Sequence, residues 1–106
     1  MNLTAFSLEV KEWADHNFPD RDLTTIAGKV CEEAGELMGA TIKEAQGIRK
    51  FEDQEAAAGD AVGDVVIALA NYCSTRGWDF EAIVRETWSH VGQRDWVKDP
   101  ETAHLL

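Results

Sequence analysis

The sequence has little proline, few basic residues and no long uncharged apolar run. These shortages argue against broken helices, a nucleic-acid partner and a membrane span, in that order. Its 106 residues include two prolines; both lie outside the periodic segments, which favours long helices. Lysine and arginine number 10 against 20 acidic residues, a formal charge of −10. Such a surface repels a phosphate backbone, so we expect no nucleic-acid partner. No apolar run approaches the length of a membrane span, and the N-terminus has no signal pattern. We therefore expect no membrane partner and a cytoplasmic location.

Cysteine is also scarce. Cys31 and Cys73 are the two cysteines and form no C-x-x-C pair. Nothing in their spacing indicates a disulfide framework, and both are predicted to be small buried hydrophobic residues. The hydrophobic fraction of 44% is that of a globular protein. A chain of this length fits a single domain, covering residues 1–106.

Apolar residues recur at steps of three and four in four segments, which predicts four helices. The predicted helices cover residues 3–16, about 23–45, about 54–76 and 80 to about 96. The predicted terminal residues are Asn2, Asp22 or Thr24, and Asp79 at N-termini, and Gly47 and Gly77 at C-termini. The predicted core stripes are Leu3, Phe6, Val10 and Trp13; Ile26, Val30, Ala34, Leu37 and Thr41; Val62, Val66, Leu69 and Cys73; and Val84, Trp88 and Val91.

Four helices with short connections predict an all-α fold, a four-helix bundle. The third helix is apolar nearly all round, because residues 65–70 read VVIALA without interruption. Such a helix is buried on several sides, and one small chain can hardly cover it. We therefore expect a homodimer or a homotetramer.

The second predicted helix carries a cluster of glutamates. At 100° per residue, Lys29, Glu33 and Glu36 share a narrow sector beside the core stripe, and Glu32 lies just beyond them. Taken alone, an E-E-x-x-E stretch is usually a solvated helix face. Lys29 then merely offsets the negative charge of the acids beside it.

The third predicted helix places Asp60, Asp64 and Asn71 along one face, and no lysine or arginine occurs between Lys50 and Arg76. A buried carboxylate without a cationic partner is costly, and either takes up a proton or binds a cation. If a bundle brings both acidic sets together, oxygen ligands favour Mg²⁺, for which Mn²⁺ substitutes. Alternatively, Asp64 accepts hydrogen bonds from a neighbouring helix and the other acids stay solvated.

Two motifs suggest a family. The stretch KVCEEAGEL at residues 29–37 carries an E-E-x-x-E motif, and VGDVVIALAN at 62–71 is similar to an E-x-x-D motif. In this order, the pair resembles the MazG-like superfamily of all-alpha nucleoside triphosphate pyrophosphohydrolases, over roughly residues 10–96. One departure is clear: the glutamate that the family has three residues before the aspartate is Ala61 here, and the nearest acid is Asp60.

The resemblance implies a reaction and a cofactor. A nucleoside triphosphate is hydrolysed between its α and β phosphates, with Mg²⁺, to a monophosphate and pyrophosphate, as in house-cleaning enzymes. Glu33, Glu36 and Asp64 would be metal ligands, and Asp60 would take the place of the missing glutamate. Glu32 would be a further ligand or would orient the attacking water. Glu32 and Glu33 are thus the predicted catalytic residues.

The predicted substrate-binding residues are Trp13, His16, Lys29, Asn71 and Arg94. Trp13, His16 and the segment after them resemble the base pocket of some relatives. Each has a plainer alternative: core packing for Trp13, an exposed position for His16, a buried hydrogen bond for Asn71 and a surface salt bridge for Arg94.

Two other functions compete with a general pyrophosphohydrolase. A narrower enzyme, either dUTPase-like or acting on phosphoribosyl-ATP, would use the same motifs. The chain is short for the elaborations expected of dUTPase-like relatives. A non-catalytic helical interaction module would keep the fold and tolerate the loss of a ligand at Ala61.

Overall fold

The computed structural model describes residues 2–106 and confirms the predicted all-α class. Its helices are α1 (Leu3–Asn17), α2 (Leu23–Gln46), α3 (Gln54–Arg76) and α4 (Phe80–Val91), followed by a short 3₁₀ helix, Ala103–Leu105. No strand occurs within residues 2–106. The most extensive packing joins α2 to α3, which form a long hairpin; α1 packs on α3, and α4 contacts α1 and α3.

Each of the four α-helices begins at a side chain that accepts a hydrogen bond from the backbone of its first turn. Asn2 accepts from Ala5, Asp22 from Thr25, Asp53 from Ala56 and Asp79 from Ala82. Each such cap contributes about 1 kcal/mol. Gly47 and Gly77 end α2 and α3 in the left-handed region, with φ of 65° and 75°. The predicted caps are therefore confirmed, with Asp22 rather than Thr24 on α2.

The fourth helix is shorter than the sequence predicts. It ends at Val91 and not near Trp96. Beyond it, the Asp95 carboxylate accepts hydrogen bonds from the backbone N–H groups of Val97 and Lys98, at 3.1 and 2.9 Å. This local turn gives the backbone of residues 95–98 hydrogen bonds other than those of a helix, so the helix does not extend to Trp96.

The hydrophobic core is small and lies where α1, α3 and α4 meet. It consists of Val10, Ala70, Cys73 and Phe80, with Leu3, Phe6 and Val66 packed against it. Cys73 is buried as predicted, and burial raises the pKa of its thiol. Cys31 is exposed, so its predicted burial is wrong.

Several predicted core positions face solvent instead. On α3, Val62 and Leu69 are 52% and 36% exposed, because α2 and α1 pack on the neighbouring sides of the helix. On α2, Ala34 and Thr41 are exposed, while Glu33 is buried. Hydropathy alone assigns a glutamate to solvent. The apolar pattern of α2 therefore predicted a buried side that excludes Glu33, whereas the observed buried side includes it.

The third helix also corrects the expectation about membrane spans. By length and composition alone, α3 could cross a membrane, although core helices of soluble proteins pass the same test. Only 22% of its most apolar window is buried within the chain. Much of the apolar surface of α3 is therefore left uncovered by α1 and α2.

Candidate functional site

One cavity brings most of the predicted site residues together. Its volume is about 930 Å³, and it lies between the end of α1, the α1–α2 connection and one side of the α2–α3 hairpin. We call that side of the hairpin the front face. The lining includes Trp13, Phe18, Arg21, Lys29, Glu32, Glu33, Asp64, Ile67 and Asn71.

The acidic end of the cavity is built by α2 and α3. Glu32, Glu33 and Glu36 each direct a carboxylate oxygen to within 4.8 Å of the other two. Glu32 and Glu36 are exposed, whereas Glu33 is 6% exposed. Asp64 reaches the Glu33 carboxylate from α3. Glu36 of the first motif and Asp64 of the second are 28 residues apart in the sequence, so the two motifs meet in space although they are distant in the chain.

Lys29 partly neutralises this end. Its ammonium lies 3.0 Å from Glu33 and 3.3 Å from Glu32. The hydrogen bond from Lys29 holds the pKa of Glu33 below its usual value, and the Glu33 and Glu32 carboxylates in turn raise the pKa of Lys29. The neighbouring Glu33 carboxylate raises the pKa of Glu36. One lysine therefore faces three glutamates and an aspartate, and a negative excess remains.

The buried carboxylate of Glu33 is only half satisfied. Oε1 pairs with Lys29, while Oε2 is buried without a hydrogen-bond partner. A buried charged oxygen without a donor is costly, unless a cation or a protonated neighbour meets it. Glu33 and its neighbours Glu32, Glu36 and Asp64 offer an all-oxygen donor set, which fits a hard divalent ion.

The opposite end of the cavity is aromatic. Trp13 and Phe18 form an edge-to-face pair with ring centroids 5.5 Å apart, and each is about half exposed. Trp13 thus lies at the cavity rather than in the core. Arg21 stands beside them, held by Asp15 at 2.7 Å and by Thr75 at 3.1 Å. Arg21 belongs to the segment that resembles a base pocket, but it was not among the predicted substrate-binding residues, because its partners are contributed by α1 and α3.

Asn71 lines the cavity two helical turns beyond Asp64 on α3. Its Oδ1 is buried and has no hydrogen-bond partner among the described residues. Through this atom, Asn71 therefore makes no hydrogen bond to the described residues, although a buried hydrogen bond was the plainer alternative for its role. An acceptor of this kind is available to a donor on a bound molecule.

Glu36 is close to Glu32 and Glu33 but is not part of the cavity lining, and three further predicted residues lie elsewhere. Asp60 and His16 are exposed, and neither belongs to the cavity lining described here. Arg94 is partly buried, and its Nε donates to the Leu106 carbonyl at 3.2 Å. Within residues 2–106, no ion pair joins Arg94 to Asp95.

Comparison with known proteins gives no match: no family model, no curated protein and no solved structure matches this chain. The comparisons therefore assign no family, and the structure shows an all-α protein of four helices.

Proposed function

We propose that this chain is a Mg²⁺-dependent nucleoside triphosphate pyrophosphohydrolase of the MazG-like superfamily. The observation that carries the proposal is the buried Glu33 carboxylate, which has one oxygen without a hydrogen-bond partner and lies within 4.8 Å of carboxylate oxygens of Glu32 and Glu36 at one end of a cavity. The second support is the order of the two motifs on α2 and α3. The third is the pair of aromatic rings at the other end of the same cavity.

The two ends of the cavity suit the two halves of a nucleotide. Asp64 and Asn71 are seven residues apart on one helix, which is about 10 Å along its axis. A nucleoside triphosphate lying along α3 would place its phosphates by the acids and its base by Trp13 and Phe18. Aromatic rings stack on bases without strong preference among them. The positive charges of Arg21 and Lys29 would offset the negative charge of the phosphates.

In this assignment, Glu33, Glu36 and Asp64 would hold the Mg²⁺. When bound, the ion polarises the phosphoryl oxygens and lowers the pKa of a coordinated water. Glu32, exposed at the cavity, orients the attacking water and accepts its proton. The water oxygen would form a bond to one of the two phosphorus atoms of the α–β bridge, and the bond between that phosphorus and the bridging oxygen would break. Lys29 would contact the phosphates while they are bound, and the monophosphate and pyrophosphate would then leave.

The test is a panel of purine and pyrimidine triphosphates, incubated with the purified chain and Mg²⁺ or Mn²⁺, with products separated by ion exchange. We expect one pyrophosphate for each monophosphate, and no reaction after chelation. Nucleoside diphosphate with orthophosphate would contradict α–β cleavage. No turnover of any triphosphate with either ion would favour the non-catalytic interaction module.

A further inference from the structure

Lys29 is the basic residue that lies among the acids of the cavity. Its ammonium stands between two carboxylates, 3.0 Å from Glu33 and 3.3 Å from Glu32. The members of the closer pair differ in freedom, because the side chain of Lys29 is 53% exposed and that of Glu33 is 7% exposed. A long, exposed lysine side chain can turn towards solvent or into the cavity while its stem stays on the helix. Lys29 is therefore the partner that can leave.

The ion pairs of Lys29 leave the acidic end incompletely neutralised. The ammonium meets Oε1 of Glu33, and Oε2 of the same carboxylate is buried without a hydrogen-bond partner. Glu36 and Asp64 both reach the Glu33 carboxylate, and neither forms an ion pair within residues 2–106. A divalent ion carries twice the charge of a lysine and takes oxygen ligands from several directions at once. Such an ion would satisfy these acids better than Lys29 does.

We propose that Lys29 changes partners during substrate binding. It neutralises the acids before a divalent ion is bound, is displaced from Glu33 by the ion, and then binds the phosphates of the nucleotide. The proposal rests on the proposed function, from which it takes the metal site and the substrate. Its new content is that Lys29 competes with the ion for Glu33.

Electrostatic repulsion drives the exchange. The Lys29 ammonium lies 3.0 Å from a Glu33 oxygen, so an ion on the same carboxylate would be within one Debye length of it, about 8 Å at physiological ionic strength. Dissolved salt therefore does not screen away the repulsion between the two cations. Lys29 also lines the cavity, where phosphates would offer it new partners. Before the ion is bound, the lysine is engaged and the acids repel phosphates, so the cavity should reject metal-free nucleotides.

The first test compares Lys29→Met with Lys11→Met by calorimetric titration with Mn²⁺, without nucleotide. Lys11 pairs with Asp15 four residues away, its side chain is 50% exposed, and it lies outside the cavity lining, so it is a matched control. We expect Lys29→Met to bind Mn²⁺ about tenfold more tightly than the parent, because a like charge beside the ion has been removed. Lys11→Met should bind as the parent does, and Lys29→Arg, which keeps the charge, should gain no affinity.

The outcomes separate this proposal from the proposed function. Equal or weaker Mn²⁺ binding by Lys29→Met would overturn the exchange and leave the metal site standing. No Mn²⁺ binding by the parent or by any variant would remove the metal site, and the exchange with it.

The second test uses the parent alone, so it does not depend on the folding of a variant. An amine-reactive ester is applied, and the modification of Lys29 is compared with that of Lys11 by mass spectrometry. We expect the ratio to rise severalfold when Mg²⁺ is added, because Lys29 is released from its carboxylates. It should fall again when an α,β-methylene triphosphate analogue, which resists the proposed cleavage, is added with Mg²⁺. A ratio that Mg²⁺ leaves unchanged, or equal protection by the analogue without Mg²⁺, would contradict the exchange.

Discussion

The α2–α3 hairpin has its front face and, on the opposite side, a back face where Cys31, Met38 and Ile42 are exposed. The two faces are made by the same two helices and differ completely in charge. Glu36 on the front and Met38 on the back are two residues apart, yet point to opposite sides of α2. The front gathers four carboxylates around one lysine, and the back exposes none. Helical register therefore separates two kinds of chemistry that are interleaved in the sequence.

The two faces carry opposite energetic costs. On the front, like charges lie close together and destabilise the hairpin until a cation arrives. On the back, apolar side chains remain in water until another surface covers them. We therefore expect divalent ions to act on the front and protein concentration on the back, with little coupling between the two. The following substitutions test this separation.

The largest effect is expected from Glu33→Gln, because its buried carboxylate lies at the centre of the acidic cluster. Turnover of a nucleoside triphosphate should fall by about 1,000-fold, typical of losing charge stabilisation at a phosphoryl group. Asp64→Asn and Glu36→Gln should also lose orders of magnitude. The matched control is Glu12→Gln, an exposed glutamate of α1 outside the cavity. Equal turnover in Glu33→Gln and Glu12→Gln would remove Glu33 from the site.

Thermal unfolding with Mg²⁺ measures the site without any substrate. Ligand at 100 times its dissociation constant stabilises the folded state by about 2.7 kcal/mol. We expect the melting temperature of the parent to rise by several degrees, and that of Glu33→Gln to change much less. Met38→Glu should keep its response to Mg²⁺, because its substitution is on the other face. If Mg²⁺ and Mn²⁺ leave the melting temperature of the parent unchanged even with nucleotide present, the proposed metal site is wrong.

The helices were easier to predict than the faces. Caps at Asn2, Asp22 and Asp79 and the glycine ends are local signals, and the structure confirms them. Burial depends on which helices become neighbours. Hydropathy placed Val62 in the core and Glu33 outside it, and the structure reverses both. The convergence of the two motifs follows from pairing consecutive helices, whereas the unpartnered oxygens of the site depend on side-chain packing that no local pattern contains.

Asn71→Leu tests the middle of the cavity. Its Oδ1 has no partner in the protein, so removing it should leave stability unchanged or slightly higher. If the oxygen accepts a hydrogen bond from the substrate, KM should rise about tenfold, the value of one such bond. Steady-state kinetics and melting curves on the same preparation separate these effects. Lower stability with unchanged KM would assign Asn71 to the scaffold instead.

The pH dependence of stability should reveal the crowding on the front face. The pKa of Glu36 is raised above its usual 4.5 by Glu33, so the folded state holds this proton more tightly than the unfolded state. Stability is therefore lost as the pH rises from 4.5 through the raised pKa. In metal-free buffer, Glu36→Gln should raise the melting temperature near neutral pH and not near pH 4. An equal shift at both pH values would contradict this origin.

The smallest effect is expected from Asp60→Asn. Asp60 is one turn from Asp64 and points about 40° away from it, but it is exposed and outside the cavity lining. A carboxylate in this position would hold Mg²⁺ through a water, which the ion accepts readily. We expect metal affinity, measured by calorimetry, to fall by up to about tenfold, as for a group that acts through a bound water.

Ala61→Glu sharpens the test: position 61 is 2% exposed, so a glutamate there is buried and should destabilise the metal-free chain. Mg²⁺ should recover that loss if the restored carboxylate reaches the ion. Unchanged affinity and turnover in Asp60→Asn, with a loss of only a few tenths of a kcal/mol from the helix dipole, would leave Glu32, Glu33, Glu36 and Asp64 as the whole acidic site.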